Sequence, residues 1–524
     1  MNSWQVPQAF SPTESSGNRY KPHGAEWSRS RRYNSDLQSL IGQNGNSILY
    51  QEGGGRTSHL GLPSHRSCCR APQRYYSSSA ESSFCDSIDT LSTLCPWLAL
   101  WIIPNTTTVM KSLHQLARRQ VLTGLAMPRV LSSQDTATSR AWRRAFSAST
   151  AAASQLPGLD ASKLTITKTT TPKEPMDSKD LVFGKYFTDH MLSVEWTATD
   201  GWHAPRIVPY QNLSLDPATC VFHYAFECFE GMKAYKDSTG SIRLFRPNKN
   251  MERLNKSSAR IALPTVDGDA LTKIIGEFVK LDSRFIPDAR GYSLYLRPTM
   301  IGTQKTLGVG PPGSALLYVI ASPVGPYYPT GFKAISLEAT DYAVRAWPGG
   351  VGDKKLGANY APCILPQLEA ASRGFQQNLW LFGEEEYVTE VGTMNLFIAL
   401  KNKETGQKEL ITAPLDGTIL EGVTRDSVLT LARERLGPQG WNISERKIRM
   451  SEVAEASEEG RLIEVFGAGT AAIVSPVRNI SYRGKMVECG LKEDEEAGEI
   501  ALQMKNWIER IQYGDEKNPW SVVI

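Results

Sequence analysis

Histidine is scarce in this 524-residue chain and absent from most of it. All seven histidines lie at or before His223, so residues 224–524 hold none. Chemistry seated there can use neither an imidazole base nor a His-ligated metal. Cysteine offers no metal centre either. Cys68, Cys69, Cys85 and Cys95 sit near the N-terminus, and Cys220, Cys228, Cys363 and Cys489 are scattered. None has the paired spacing of a zinc site, and no disulfide framework emerges. Long apolar runs are missing too. The best candidate, Leu94 to Ile103, is broken by Pro96 and falls short of the roughly 18 residues that a membrane span needs. No membrane insertion is expected. A large excess of one charge is also lacking: the net charge of +4 does not argue for nucleic-acid binding. What remains is an ordinary apolar content, 41%, enough to build the cores of two or three domains.

Residues 1 to about 175 differ from the rest. They are rich in Ser, Arg, Gln, Thr and Gly, with poor hydrophobic periodicity, the composition of a chain that cannot offset its ordering entropy by burial. From Leu181 onward strand-like and helix-like segments alternate. Leu271, Ile274, Ile275 and Phe278 stand at i, i+3, i+4 and i+7 and predict an amphipathic helix over Asp269 to Leu281. Ser293 to Met300 and Ala315 to Ala321 read as strands. Pro323 to Phe332, dense in Pro and Gly, reads as an interdomain linker. A β-rich run follows, Lys333 to Ala346, then a helix near Pro362 to Arg373 closed by Gly374. Asn378 to Phe382 and Tyr387 to Leu400 read as a hairpin, and Arg425 to Leu436 as a helix stopped by Gly437 and Pro438. Mixed strands and helices in two blocks predict an α/β (α+β) chain of two domains.

Several motifs carry chemistry. In Gly349-Gly350-Val351-Gly352-Asp353-Lys354-Lys355-Leu356-Gly357-Ala358-Asn359-Tyr360 the glycines let backbone pack close to a ligand. A lysine held there can be desolvated, freeing its amine for a Schiff base; a plain glycine loop with solvated lysines fits the same letters. Glu390, among strand-forming apolar residues, costs energy unless paired. A protonated pyridine nitrogen would pair it, and so would an ordinary salt bridge. Gly422-Val423-Thr424 precedes a helix, where free N–H groups and the dipole favour an anion. Phe466-Gly467-Ala468-Gly469-Thr470-Ala471 offers further N–H groups and a hydroxyl. Either segment is equally a simple cap or turn. Arg253, on a helix, is placed to reach a phosphate; Arg297, ending a strand, to face a substrate carboxylate. Structural ion pairs would also account for both.

Taken together, these segments resemble the branched-chain amino-acid aminotransferases, in the fold-type IV group of pyridoxal-phosphate (PLP) enzymes. The resemblance runs from about Leu181 to about Trp520. It includes Val182-Phe183-Gly184-Lys185, Thr188-Asp189-His190-Met191, Phe229-Glu230-Gly231-Met232-Lys233-Ala234, Leu294-Tyr295-Leu296-Arg297-Pro298, Glu390-Val391-Gly392-Thr393-Met394-Asn395 and Ile511-Gln512-Tyr513-Gly514. It implies that Lys355 is the Schiff-base lysine and Lys354 only a neighbour. It implies that Tyr360 bonds the cofactor's phenolic oxygen and Glu390 its ring nitrogen, and that Arg253, Val423, Thr424 and Thr470 hold its phosphate. Phe183, Tyr224, Phe229, Tyr295, Tyr327, Thr393 and Ala471, with Arg297 nearby, would form the substrate pocket. The implied reaction moves the amino group of L-leucine, L-isoleucine or L-valine to 2-oxoglutarate, giving branched 2-oxo acids and glutamate. The implied assembly is a homodimer. Some animal members carry two thiols after the Gly-Thr-Ala turn. Ala472 and Ser475 stand there in this chain, so no thiol switch is expected at that place.

The implied layout is a small domain over 177–325, a linker over 326–335 and a large PLP-binding domain over 336–524. Upstream, the stretch from Met110 carries Lys111, Arg118, Arg119, Arg129, Arg140, Arg143 and Arg144, while Asp135 is its only acid before Asp160. This is the signature of a mitochondrial transit peptide over 110–150, with a processing site at Arg143-Arg144-Ala145-Phe146-Ser147. It predicts the mitochondrial matrix, or the cytoplasm if the leader is not used. Residues 151–176 are expected to be a disordered linker. Residues 1–109 are expected to be a disordered extension or an artefact of the gene model, with Met110 as a translation start.

Overall fold

The computed structural model describes residues 156–326 and 331–524. The expected leader, residues 1–109 and Tyr327 lie outside them. Among the described residues two sheets carry the architecture. The first has ten strands: β1 (Thr165–Ile166), β2 (His190–Thr197), β3 (Gly201–Trp202), β4 (Arg206–Pro209), β5 (Glu227–Phe229), β6 (Met232–Lys236), β7 (Ile242–Phe245), β8 (Ser293–Gly302), β9 (Ser314–Val324) and the C-terminal β19 (Ser521–Val523). The second has nine: β10 (Ile335–Thr340), β11 (Gln377–Phe382), β12 (Tyr387–Val391), β13 (Met394–Lys401), β14 (Lys408–Thr412), β15 (Asn442–Glu445), β16 (Leu462–Gly469), β17 (Ile473–Tyr482) and β18 (Lys485–Glu488). The fold is therefore mixed α/β, as expected.

Two helices bury their apolar faces against the first sheet. Helix α1 (Pro247–Arg260) opens with Pro247, whose fixed φ and missing N–H suit a first turn. Helix α2 (Gly268–Leu281) is capped by Asp267, whose side chain accepts the Ala270 N–H. Its predicted stripe, Leu271, Ile274, Ile275 and Phe278, is wholly buried among Leu192, Val194, Leu244 and Leu294. The second sheet is accompanied by α3 (Ile364–Ser372), α4 (Val423–Arg435), α5 (Met450–Glu458) and α6 (Glu499–Gln512).

Three expectations need correction. First, Tyr387 to Leu400 is not one strand. Gly392, at φ 54°, occupies the first central position of a two-residue turn, a position that type II′ hairpins give to glycine. Glu390 is thereby set opposite Asn395, and Val391 opposite Met394. Second, the C-terminal segment does not stay with the second sheet. β19 pairs with β7, and the Arg246 guanidinium lies 4.2 Å over the Trp520 ring. Third, the described part of the expected linker, from residue 156, is built into the first sheet. Leu159 is buried in its core, and β1 pairs with β4.

A buried histidine secures that last segment. The Thr169 N–H donates to His190 Nε2 at 2.9 Å. Nδ1 must then carry the proton, and it donates to Asp282 at 2.6 Å. Asp282 also accepts the His190 backbone N–H at 3.0 Å. His190→Ala leaves a buried carboxylate without its side-chain partner and should cost about 2–3 kcal/mol. A lower urea midpoint and a new first protease cut between residues 165 and 176 are expected; an unchanged midpoint and cleavage pattern would remove His190 as the anchor.

Candidate active site

Lys355 and Tyr360 meet in a cavity of about 370 Å³. The Lys355 amine donates to the Tyr360 hydroxyl at 2.9 Å and lies 4.7 Å from the centre of the Phe229 ring. The glycines around Lys355 permit this placement by close packing. A Cβ on Gly352 would come within 2.3 Å of Ala346 and 2.6 Å of the Thr418 carbonyl, and one on Gly357 within 2.0 Å of Glu227. Asn359 ties the loop down by donating to the Val351 and Lys354 carbonyls, both at 2.8 Å. The Lys355 N–H donates to Ser257 of α1 at 2.8 Å, and its carbonyl accepts the Phe229 N–H of β5 at 3.1 Å. Lys354 instead pairs with Asp353 and does not line the cavity.

Glu390 lies in the same cavity, 2% exposed. One carboxylate oxygen accepts from the Asn395 side chain and the Leu420 N–H, both at 2.9 Å; the other lies 2.8 Å from Arg345. Burial pushes this carboxyl above its ordinary value, while Arg345 and the Leu420 N–H pull it back. An ionised carboxylate offers about four acceptor positions. Three are occupied, leaving one for a further donor.

The anion-binding candidates also converge. Val423 and Thr424 open α4 behind Gly422, in the first turn, where N–H groups have no intrahelical acceptor. A Cβ on Gly422 would meet Asn395 at 2.1 Å. Thr470 and Ala471 lie in the turn between β16 and β17 and line the cavity. Arg253 reaches it from α1, with its guanidinium largely engaged. Nε and Nη2 grip Glu230 at 2.7 and 2.8 Å, and Nη1 donates to the Glu421 carbonyl at 3.0 Å. Of five N–H donors that leaves two.

Phe183, Phe229, Tyr295, Arg297 and Thr393 complete the wall, with Phe183 and Tyr295 edge to face at 4.9 Å. Arg297 is a half-buried cation with few partners. Nη2 donates to the Tyr295 hydroxyl at 3.0 Å, Nε has no partner, and the guanidinium lies 4.7 Å over the Phe229 ring. Arg297 stands inside β8 rather than at its end. Tyr224 is not on the wall. It closes a single helical turn, Val221–Tyr224, and its hydroxyl donates to the Leu307 carbonyl at the surface. The left-handed Ala225 turns the chain before β5, so Phe229 faces the cavity instead.

Four polar residues escaped the sequence reading of the site: Arg345, Glu230, Asn395 and Lys233. Glu230 and Lys233 carry the same signal as Glu390, a charge among apolar strand residues. Nothing in the local sequence marks Arg345. At the thiol positions of some relatives, Ala472 lines the cavity and Ser475 is buried. None of the four described cysteines lines the cavity.

Comparison with known proteins identifies the family. Residues 227–480 match the class IV amino-transferase family. The chain is 62% identical over 356 residues to the mitochondrial branched-chain-amino-acid aminotransferase of Saccharomyces cerevisiae, covering 68% of this chain and 91% of that protein. It is 60% identical to the cytosolic form of the same yeast, covering 70% of this chain and 98% of that one. Against the mitochondrial protein of Schizosaccharomyces pombe the identity is 56%, over 70% and 85% of the two chains. Among solved structures, a branched-chain aminotransferase from Thermoproteus uzoniensis with norvaline superposes with a TM-score of 0.50 at 25% identity, covering 63% of this chain and 98% of that one.

Removing Arg345 tests the electrostatics of the site. Arg345→Met should lower stability by about 3 kcal/mol, because it strands a buried carboxylate, and Glu390 should then take up a proton. A protonated-carboxyl infrared band is expected in R345M and not in the R345M/E390Q double variant. A stable R345M without that band would show that Arg345 does not hold Glu390 charged.

Proposed function

The chain belongs to the branched-chain-amino-acid aminotransferases of class IV, and from that premise we propose that it transfers the amino group of L-leucine, L-isoleucine or L-valine to 2-oxoglutarate with pyridoxal 5′-phosphate as cofactor. The observation that carries this reading is the meeting of Lys355, Tyr360 and Glu390 in one cavity beside the first turn of α4.

The residues present fit that cofactor. Two spare Arg253 donors, the open N–H groups of Val423 and Thr424 and the Thr470 hydroxyl suit a phosphate. The free acceptor position of Glu390 suits a protonated ring nitrogen. When bound, the cofactor supplies an aldehyde that takes the amino group and a ring that spreads the electron pair left on the substrate carbon. Lys355 moves the proton at the substrate Cα as a general acid–base. Tyr360 donates to the cofactor's phenolic oxygen. Glu390 holds the proton on the ring nitrogen. Phe183, Phe229 and Tyr295 take up branched side chains, at about 25 cal/mol per Å² buried. Arg297, an underpaired cation over an aromatic wall, faces the substrate carboxylate.

The same reading divides the chain into a small domain, 177–325, and a large one, 336–524, around a linker at 326–335. The two sheets support this, with the described residues before 177 and β19 added to the small domain. A homodimer is supported by an exposed apolar face on α3, where Leu365 and Leu368 are 65% and 62% exposed. Mitochondrial and cytosolic forms both occur among the relatives, and the basic stretch after Met110 favours the matrix. A native N-terminus between residues 146 and 155 is the expected result of N-terminal sequencing.

Lys355→Ala should abolish the transfer from L-leucine to 2-oxoglutarate, while Lys354→Ala should leave turnover near wild type. Glu390→Ala should keep the cofactor bound and lower kcat by at least about a hundredfold. Borohydride trapping at Lys354, or normal turnover in a folded E390A, would overturn these assignments. Light scattering should give a dimer mass for the wild type and a monomer mass for L365D/L368D. A monomeric wild type would exclude the dimer.

A further inference from the structure

One buried charge near the cavity has no part in the chemistry above. Lys233 stands on β6, paired in register with Tyr295 of β8, and is 6% exposed. Among the described residues no carboxylate lies within ion-pairing distance of its amine. Burial pushes the ammonium down to about 8, with the charge of Glu509 on α6 opposing. A lysine kept in such a place costs stability that a methionine of similar volume would not. Its amine crosses from the first sheet to the second and donates to the Ala471 carbonyl at 2.8 Å.

That carbonyl belongs to the Thr470–Ala472 turn on the cavity wall. In a planar trans peptide the carbonyl and the following N–H point in opposite directions. A tether on the Ala471 carbonyl therefore fixes the direction of the Ala472 N–H. The turn does not hold itself without strain. Its far side closes through a bond from the Val474 N–H to the Ala472 carbonyl at 2.8 Å, with Ile473 at φ 62°. A β-branched residue is disfavoured in that region by about 1–3 kcal/mol, so the turn needs support from outside its own strands.

We propose that Lys233 is a positioning residue for substrate recognition, holding the Ala471 carbonyl so that the 470–472 turn keeps the shape that receives the substrate. This rests on the function proposed above, in which Ala471 walls the substrate pocket.

The test uses the holoenzyme and two variants, Lys233→Met and Lys233→Arg. Steady-state kinetics with L-leucine and 2-oxoglutarate are joined by calorimetric binding of 4-methylpentanoate, a branched acid with no amine to react. In K233M both KM values and the Kd of 4-methylpentanoate should rise about tenfold, the loss of one hydrogen bond from a charged donor. The kcat at saturation and the cofactor absorbance should hold, and K233R should recover part of the loss. KM and Kd values equal to wild type in folded K233M would overturn the proposal, as would a fall in kcat with KM unchanged. If K233M does not fold, K233Q carries the test. Its donor falls short of the ammonium, so both KM values should rise about threefold, and wild-type values would overturn the proposal. A wild-type enzyme inactive on L-leucine would instead refute the underlying function, which separates the two failures.

Discussion

A carboxylate shut away from water stays charged only where the protein supplies its counter-charge and fills its lone pairs. Glu390 is such a group, and its partners tie together three separate pieces of chain. Arg345, 2.8 Å away, also donates to the Thr418 carbonyl at 3.2 Å and the Gly352 carbonyl at 3.4 Å. Asn395 bonds both Glu390 and the Leu420 carbonyl. The β12–β13 hairpin, the lysine loop and the segment leading into α4 are thus fastened to one buried acid. The positions of Lys355 and of the α4 N-terminus both depend on it.

Around this knot the two sheets contribute differently. The first brings cations and aromatic rings: Arg253 gripped by Glu230, Lys233 on the Ala471 carbonyl, and Arg297 between Phe229 and Tyr295. The second brings the acid, the amine loop and the open N–H groups of α4. A pocket built this way is rigid in its electrostatics, since each charged wall residue is held by at least one partner, Arg297 by the Tyr295 hydroxyl alone. Arg297, with a bare Nε, retains capacity for an incoming anion.

Much of this was legible in the chain because it is local. The α2 stripe, the Gly422–Thr424 start of α4 and the glycine-dense lysine loop follow from periodicity, capping and backbone sterics within a dozen residues. Glu390 was legible because a charge among apolar strand residues demands a partner. The turn at Gly392 was missed because a single glycine in a strand-like run reads equally as a bulge, a turn or a close approach. Tyr224 does not line this chain's own cavity, since a resemblance reports which residues recur, not which way a short helix points within one chain.

The amino-acid sequence by itself determined the mixed α/β class, the helices α2, α3 and α4 and the strands β8, β9 and β11, since each rests on short-range patterning; a recurrent motif pointed to Lys355 as the candidate Schiff-base lysine. Tertiary structure alone decided which charges meet. The identity of Arg345 as the partner of Glu390, of Glu230 as the partner of Arg253 and of Ala471 as the acceptor for Lys233 rests on contacts 45, 23 and 238 residues apart. The return of β19 to the first sheet and the docking of the segment before residue 177 were decided there too. Pairings across such distances leave no periodic trace in the chain; they are selected when burial forces every polar group to find a partner.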